Sequence, residues 1–166
     1  MSACSSTPPQ TTRPATTGAT ATGTTQPPPD DVYFSLQDPR QAGEVALYAL
    51  GLLETGYQFG GRNPAAGLDC SGMVSWVVEN ISGKRLPHNA AQIAGLTRPI
   101  KLDELQSGDL IFFNTLQRPH SHMGIYIGEG RFIHAPSSRG KVRIEQLDNR
   151  YFASRIDGVR TLIARD

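Results

Sequence analysis

One cysteine, Cys70, stands where a thiol is expected to act as a nucleophile. It follows a glycine-rich loop at residues 60–67, precedes the small residues Ser71 and Gly72, and lies at the predicted start of a helix. The free N–H groups and the dipole of a helix N-terminus favour an anion and thereby lower the pKa of a thiol. We therefore predict an activated nucleophile that iodoacetamide alkylates faster than a free thiol at pH 6. A buried structural cysteine is the alternative.

Two histidines, His122 and His134, fall on neighbouring predicted strands. If the turn between the strands comprises the three residues 128–130, His134 faces Gly124 and His122 lies diagonal to it on the same face of the sheet. Gly124 has no side chain, so the two imidazoles have room to meet. One of them then serves as the base beside Cys70, and the other orients that base. A two-residue turn would place them on opposite faces.

Other interpretations of the histidines are a metal site and a structural role. His120, His122 and His134 would need Cys70 to complete a zinc site, and no carboxylate or cysteine pair has metal-ligand spacing. A single histidine on a strand face is usually structural. We predict no metal and no cofactor, and we interpret His120 and His88 as loop residues.

Two helices are predicted to precede a run of strands. The first helix extends from Asp38 to Gly56, and the second begins at Cys70 or Ser71. Their predicted buried faces comprise Ala42, Val45, Ala46, Ala49, Leu50 and Leu53 in the first helix, and Met73, Val74, Val77, Val78 and Ile81 in the second. Strands are predicted at residues 110–113, 122–127, 131–134, 141–145 and 159–163. Helices followed by antiparallel strands predict an α+β fold with Cys70 at a helix N-terminus.

Composition separates a tail, residues 1–37, from one domain, residues 38–166. No aliphatic residue larger than alanine occurs between Ser5 and Asp31, so this Thr/Pro-rich segment is predicted to be a disordered linker. The charges nearly balance, with 16 Lys+Arg against 15 Asp+Glu, which gives no reason to expect nucleic acid as a partner. We expect a monomer.

The first residues resemble the end of a bacterial lipoprotein signal. Small residues precede Cys4, so we predict that Cys4 carries a lipid that attaches the domain to a membrane, and that the precursor has an apolar segment upstream of Ser2. Ser5 directly after Cys4 suggests the periplasmic side of the outer membrane, with a periplasmic or extracellular location otherwise. A chance cysteine in a low-complexity tail is the alternative.

Several motifs, in order along residues 40–164, together resemble NlpC-type cell-wall endopeptidases, which are papain-like cysteine peptidases. The matching segments are Gly56-Tyr57-Gln58-Phe59-Gly60-Gly61, Leu68-Asp69-Cys70-Ser71-Gly72-Met73-Val74, Gly108-Asp109-Leu110-Ile111-Phe112-Phe113, His122-Met123-Gly124-Ile125-Tyr126-Ile127-Gly128 and Phe132-Ile133-His134-Ala135. One departure is visible. His88-Asn89-Ala90-Ala91-Gln92 follows Leu86-Pro87, where relatives often have Arg, Thr and Ser, and this leaves subsite preference open.

The resemblance implies a role for each matching residue. Cys70 would be the nucleophile, His122 the general base and then acid, and His134 its orienting partner. Tyr57 would place its hydroxyl near the reacting group. Ser71 and Asp69 would belong to the substrate and oxyanion region, where backbone N–H groups near Cys70 form the oxyanion hole.

The implied activity is hydrolysis of amide bonds in peptidoglycan stem peptides or cross-links through an acyl-enzyme. The bond is open: D-Glu to diaminopimelate within a stem, or D-Ala to diaminopimelate between stems. Two alternatives remain at this point. One is an acyltransferase or amidase of the same fold that acts on another substrate, and the other is a non-catalytic lipoprotein that binds peptidoglycan.

Overall fold

Helices pack against a six-stranded antiparallel sheet in a computed structural model of the chain, which describes residues 29–136 and 140–165. The helices are α1 (Gln41–Leu50), α2 (Cys70–Ser82), α3 (Ala90–Leu96) and α4 (Arg150–Ala153). The strands are β1 (Arg62–Asn63), β2 (Gly67–Leu68), β3 (Arg98–Pro99), β4 (Leu110–Phe113), β5 (His122–Gly128), β6 (Arg131–His134), β7 (Arg143–Gln146) and β8 (Ile156–Thr161). The sheet order is β3-β8-β4-β5-β6-β7, and β1 and β2 form a separate hairpin. The predicted α+β class is confirmed.

The central helix α2 begins at Cys70, as predicted. Asp69 is its N-cap and accepts a hydrogen bond from the Gly72 N–H, and Gly83 ends it in the left-handed conformation at φ 71°. Four of the five predicted core residues are fully buried: Met73, Val74, Val77 and Val78. Ile81, the fifth, is only partly buried at the edge of the core.

Helix α1 is shorter than predicted. It begins at Gln41, two residues after Pro39, rather than at Asp38, and it ends at Leu50 rather than near Gly56. The Asp38 side chain pairs with Arg40 instead of capping the helix. Because the chain turns away at this point, the helical spacing no longer applies beyond Leu50. Leu50 and Leu53, predicted to be buried, are both 36% exposed, and Leu52 is buried in their place.

The folded domain begins before the predicted boundary at residue 38. The Phe34 N–H donates to the Leu96 carbonyl, and the Leu36 N–H donates to the Leu162 carbonyl. Leu36 is also buried in the main core. The segment from Phe34 therefore packs as part of the domain. Cys4 and most of the predicted linker lie outside the described residues. Among the described residues, no helix has both the length and the apolar character needed to span a bilayer.

The β5–β6 hairpin reaches the predicted side-chain arrangement by a different route. Its loop has two residues, since Gly128 pairs with Arg131, so the predicted three-residue turn is wrong. A bulge at Ile127 adds one residue to β5, and the register beyond it pairs Ile125 with Ile133. A two-residue loop alone would have placed the two histidine side chains on opposite faces of the sheet. The extra residue in β5 returns them to the same face. His122 and His134 consequently share one face of the sheet.

Candidate active site

Cys70 opens onto a cleft of about 810 Å³ between the start of α2 and the β5–β6 hairpin. Its side chain is half-buried, and Tyr57, His122 and His134 line the same cleft. Residues from three separate parts of the chain are thus brought together. The helix supplies the thiol, the sheet supplies both imidazoles, and the loop before β1 supplies the phenol.

The surroundings of Cys70 raise the pKa of its thiol to about 11. Burial is the main cause and the nearby Asp69 carboxylate is the second, while backbone N–H groups of Met123, Ser71 and Cys70 itself oppose the shift. The prediction of a lowered pKa is therefore wrong for this resting structure. The helix N-terminus does act in the expected direction, but burial and a neighbouring negative charge outweigh it.

The imidazoles of His122 and His134 are in direct contact. His122 Nε2 lies 2.8 Å from His134 Nδ1, and the rings are nearly perpendicular, at 81°. Gly124 makes this possible, because a Cβ at that position would lie 3.3 Å from His134 Cβ and 2.7 Å from the Ile133 carbonyl oxygen. Since Nε2 of His122 is engaged by His134, Nδ1 is the nitrogen that remains for proton transfer.

Aromatic side chains enclose the histidine pair. Phe152 from α4 packs against the His134 ring with centroids 5.1 Å apart, Phe132 does so at 5.1 Å, and Phe113 lies 6.0 Å from the His122 ring. Burial lowers the pKa of His122 to about 4. Burial, followed by the charges of His122 and Arg143, lowers the pKa of His134 to about 3. Both rings are therefore neutral at pH 7, and His122 can accept a proton.

The carboxylate of Asp69 connects the start of α2 to the neighbouring loops. Its Oδ1 accepts hydrogen bonds from the Gly72 N–H at 2.7 Å and the Ser71 hydroxyl at 3.4 Å, and its Oδ2 accepts one from the Gly60 N–H at 3.0 Å. Oδ1 also lies 2.7 Å from His88 Nε2. Ser71 and Asp69 thus sit beside Cys70, but the Ser71 hydroxyl is turned toward Asp69.

Tyr57 lines the same cleft and is half-buried, and its backbone pairs with Leu68, two residues before Cys70. Burial raises the pKa of its phenol, and the charges of Asp69 and Cys70 raise it further. The phenol is therefore neutral and retains its proton at pH 7, as a hydrogen-bond donor in the cleft must.

His120 does not join the other two histidines. Its Nδ1 lies 2.8 Å from an Asp157 carboxylate oxygen, and its ring packs edge-on against Phe112. It remains a loop residue that anchors the segment before β5 to β8. Within residues 29–136 and 140–165, no three His, Cys, Asp or Glu side chains are grouped as a metal site requires.

Two residues at the site were not identified from the sequence. His88, interpreted as a loop residue, contacts Asp69 and lines the cleft, and Phe152 covers the histidine pair. The departure after Leu86-Pro87 was the available signal for His88. No comparable signal existed for Phe152, which lies in a helix of only four residues.

Alkylation tests the ionisation state of Cys70. For a thiol pKa of about 11 against about 8.5 for a free thiol, the thiolate fraction near pH 7 is roughly 300-fold smaller. The greater nucleophilicity of a more basic thiolate offsets about tenfold of this difference, so reaction with iodoacetamide is expected to be about 30-fold slower than for a free thiol. The rate should keep rising toward pH 11. A Cys70→Ser variant measures the contribution of Cys4 to the alkylation. An alkylation rate that is already constant above pH 6 would contradict the expectation.

Comparison with known proteins adds a family match to this geometry. The sequence profile of the NlpC/P60 family matches residues 54–161, which include Tyr57, Cys70, His122 and His134. Among solved structures, a Staphylococcus aureus Mu50 protein described as similar to lipoprotein, of the NLP/P60 family, has a TM-score of 0.66 at 31% identity, over 79% of this chain and 44% of that one.

Two curated relatives extend the comparison. The gamma-DL-glutamyl hydrolase of Bacillus subtilis is 40% identical over 63% of this chain and 25% of its own length. The murein DD-endopeptidase MepH of Escherichia coli is 34% identical over 64% of this chain and 41% of its own length. The chain thus spans a quarter to two fifths of these relatives.

Proposed function

The chain belongs to the NlpC/P60 family, and on that basis we propose that it is a cysteine endopeptidase that hydrolyses amide bonds in peptidoglycan peptides. The observation that carries this proposal is the convergence of the Cys70 thiol and the His122–His134 pair on one cleft. A cleft of about 810 Å³ is also large enough for several residues of a peptide.

In the proposed first step, Cys70 attacks the carbonyl carbon of the scissile amide. Its proton passes to Nδ1 of His122, while Nε2–H of His122 donates to Nδ1 of His134, which fixes the ring. The negative charge that develops on the carbonyl oxygen is stabilised by backbone N–H groups at the start of α2 and by the Tyr57 hydroxyl. The amine leaves with the proton from His122, and a thioester remains on Cys70.

In the proposed second step, water resolves the thioester. His122, again neutral, takes a proton from the water as the oxygen attacks the thioester carbon. The C–S bond then breaks, the acid is released, and the proton returns to the Cys70 sulfur. The neutral resting states of thiol and imidazole suit this cycle, because the base is available from pH values a little above the His122 pKa of about 4.

The bond that is cleaved can be identified by mass spectrometry of purified peptidoglycan fragments incubated with the protein. The names of the two curated relatives point to different bonds, a γ-glutamyl bond and a DD cross-link. Cross-linked dimers and uncross-linked stem peptides should therefore be supplied separately. Cleavage of either one supports the proposal and assigns the bond. Intact fragments in both mixtures would contradict a peptidase, and transfer to an added amine instead of water would indicate an acyltransferase.

We also propose that Cys4 is lipidated and that the linker tethers the domain to the periplasmic side of the outer membrane. Expressed in a bacterium from its precursor, the protein is expected in the membrane fraction. A Cys4→Ser precursor is expected in the soluble fraction, with unchanged turnover of soluble fragments because the site lies in residues 54–161. Equal partition of both proteins would contradict the tether.

A further inference from the structure

His88 and Asp69 form a largely buried pair beside the nucleophile. His88 Nε2 lies 2.7 Å from Asp69 Oδ1, and the two side chains are only 13% and 15% exposed. The ring sits against the first turn of α2, since a Cβ at Gly72 would lie 3.0 Å from His88 Nε2. The preceding residue is anchored to the same helix, because the Ser75 hydroxyl donates to the Pro87 carbonyl at 3.2 Å. The position of His88 is therefore defined by α2 itself.

The charge of Asp69 acts on the reactive groups. Its carboxylate raises the pKa of both Cys70 and Tyr57. Within the described part of the chain, His88 is the one ionisable side chain that bonds to this carboxylate; its other bonds come from the Ser71 hydroxyl and the N–H groups of Gly60 and Gly72. Any change of charge on His88 therefore changes how strongly Asp69 opposes a thiolate.

We propose that His88 is a positioning residue that couples the reactivity of the Cys70 thiol to the charge of the His88–Asp69 pair. Nε2–H donates to Asp69 in both the neutral and the protonated ring, so the contact is retained when Nδ1 gains a proton. The cationic ring compensates the carboxylate and favours the thiolate, whereas the neutral ring leaves the carboxylate uncompensated. The inference rests on the proposed function in taking Cys70 as the reacting group.

His88 lies between two cavities. It lines both the cleft of about 810 Å³ and a second cavity of about 380 Å³. The other charged and titratable groups that line the two cavities are Tyr57, Cys70, Arg118, His122, His134, Arg143 and Glu145 on the cleft side and Arg62, Glu79 and Arg85 on the other side. Arg143 pairs with Glu145 and Arg85 with Glu79, so neither arginine neutralises Asp69.

Alkylation of Cys70 between pH 5.5 and 8.5 tests the coupling in a Cys4→Ser background. His88→Gln keeps an N–H donor for Asp69 but never carries a charge, and His88→Arg always does. We expect His88→Arg to react about threefold to tenfold faster than His88→Gln at every pH, from one added charge near the thiol. Equal rates of His88→Arg and His88→Gln across this range would overturn the coupling.

The chain offers a matched control in His120, which has the same contact with a carboxylate, Asp157, outside the cleft. His120→Gln should leave the pH profile unchanged. His120→Arg and His120→Gln should react at equal rates, and a difference as large as that between the two His88 variants would overturn the proposal. His88→Lys takes the place of His88→Arg in the comparison if the arginine variant does not fold. Alkylation needs no peptidoglycan, so the coupling can hold even if cleavage of fragments fails, and cleavage can occur without the coupling.

Discussion

Replacing Cys70 by alanine is expected to abolish cleavage of peptidoglycan fragments and to leave the fold intact. In the proposed mechanism the sulfur supplies the attacking atom, and only a cysteine can form the thioester. Loss of a nucleophile typically costs about 10⁴-fold or more in turnover. The side chain is half-buried, and Asp69 rather than Cys70 caps α2, so the helix start is retained. Mass-spectrometric time courses of wild type and Cys70→Ala measure the loss of cleavage. Thermal unfolding of the same two proteins measures whether the fold is retained.

The other cysteine of the chain provides the control for this variant. Cys4→Ser should cleave fragments at the wild-type rate, and Cys70→Ala should still bind them, because the walls of the cleft are unchanged. Cleavage by Cys70→Ala at the rate of the wild type would rule out the thioester mechanism. A large loss of thermal stability in Cys70→Ala would instead show that the cysteine is structural, which is the alternative that the sequence left open.

The histidine pair shows what the sequence was able to predict. Alternation along two strands and the glycine opposite His134 were sufficient to place both imidazoles on one face. The loop that joins the strands was predicted incorrectly. The two histidines nevertheless share one face, because the bulge at Ile127 compensates for the shorter loop. A local pattern of two-residue period therefore predicted a tertiary contact, while the detail of the turn depended on packing that the pattern does not contain.

The ionisation of Cys70 shows what the sequence did not provide. The helix N-terminus is a local feature and was predicted correctly, but the burial that raises the pKa to about 11 depends on the folded core, against which the half-buried thiol packs. His88 was missed for the same reason. It lies 19 positions after Asp69, in a segment without strong helical or strand periodicity, and only the folded chain brings the two together.

These two findings describe one electrostatic arrangement. Burial favours the neutral forms of both Cys70 and His122, and the Asp69 carboxylate beside the thiol opposes a thiolate further. In the proposed mechanism, proton transfer to His122 therefore accompanies the attack, instead of preceding it as in a preformed thiolate–imidazolium pair. The imidazole that receives this proton should therefore be the second most sensitive position after Cys70.

The three histidines near the sheet are expected to rank in a fixed order when each is replaced by alanine. His122→Ala removes the group that, in the proposed mechanism, takes the thiol proton and passes it to the leaving amine, and it should lower turnover by about 10³-fold or more. His134→Ala removes only the acceptor for His122 Nε2–H, 2.8 Å away, and should cost roughly 10- to 100-fold. His120→Ala, which loses a contact with Asp157 outside the cleft, should remain close to wild type.

A conservative variant separates orientation from packing in this ranking. In His134→Asn, the amide oxygen can take the place of Nδ1 and accept from His122, so turnover should recover most of what His134→Ala loses. The recovery should appear in kcat rather than KM, because His134 contacts the base and not the substrate. His134 is enclosed by Phe132 and Phe152, so both variants need matched unfolding temperatures before their rates are compared. If His120→Ala were more damaging than His122→Ala, or if asparagine gave no recovery at equal stability, the assignment of base and orienting partner on this hairpin would be wrong.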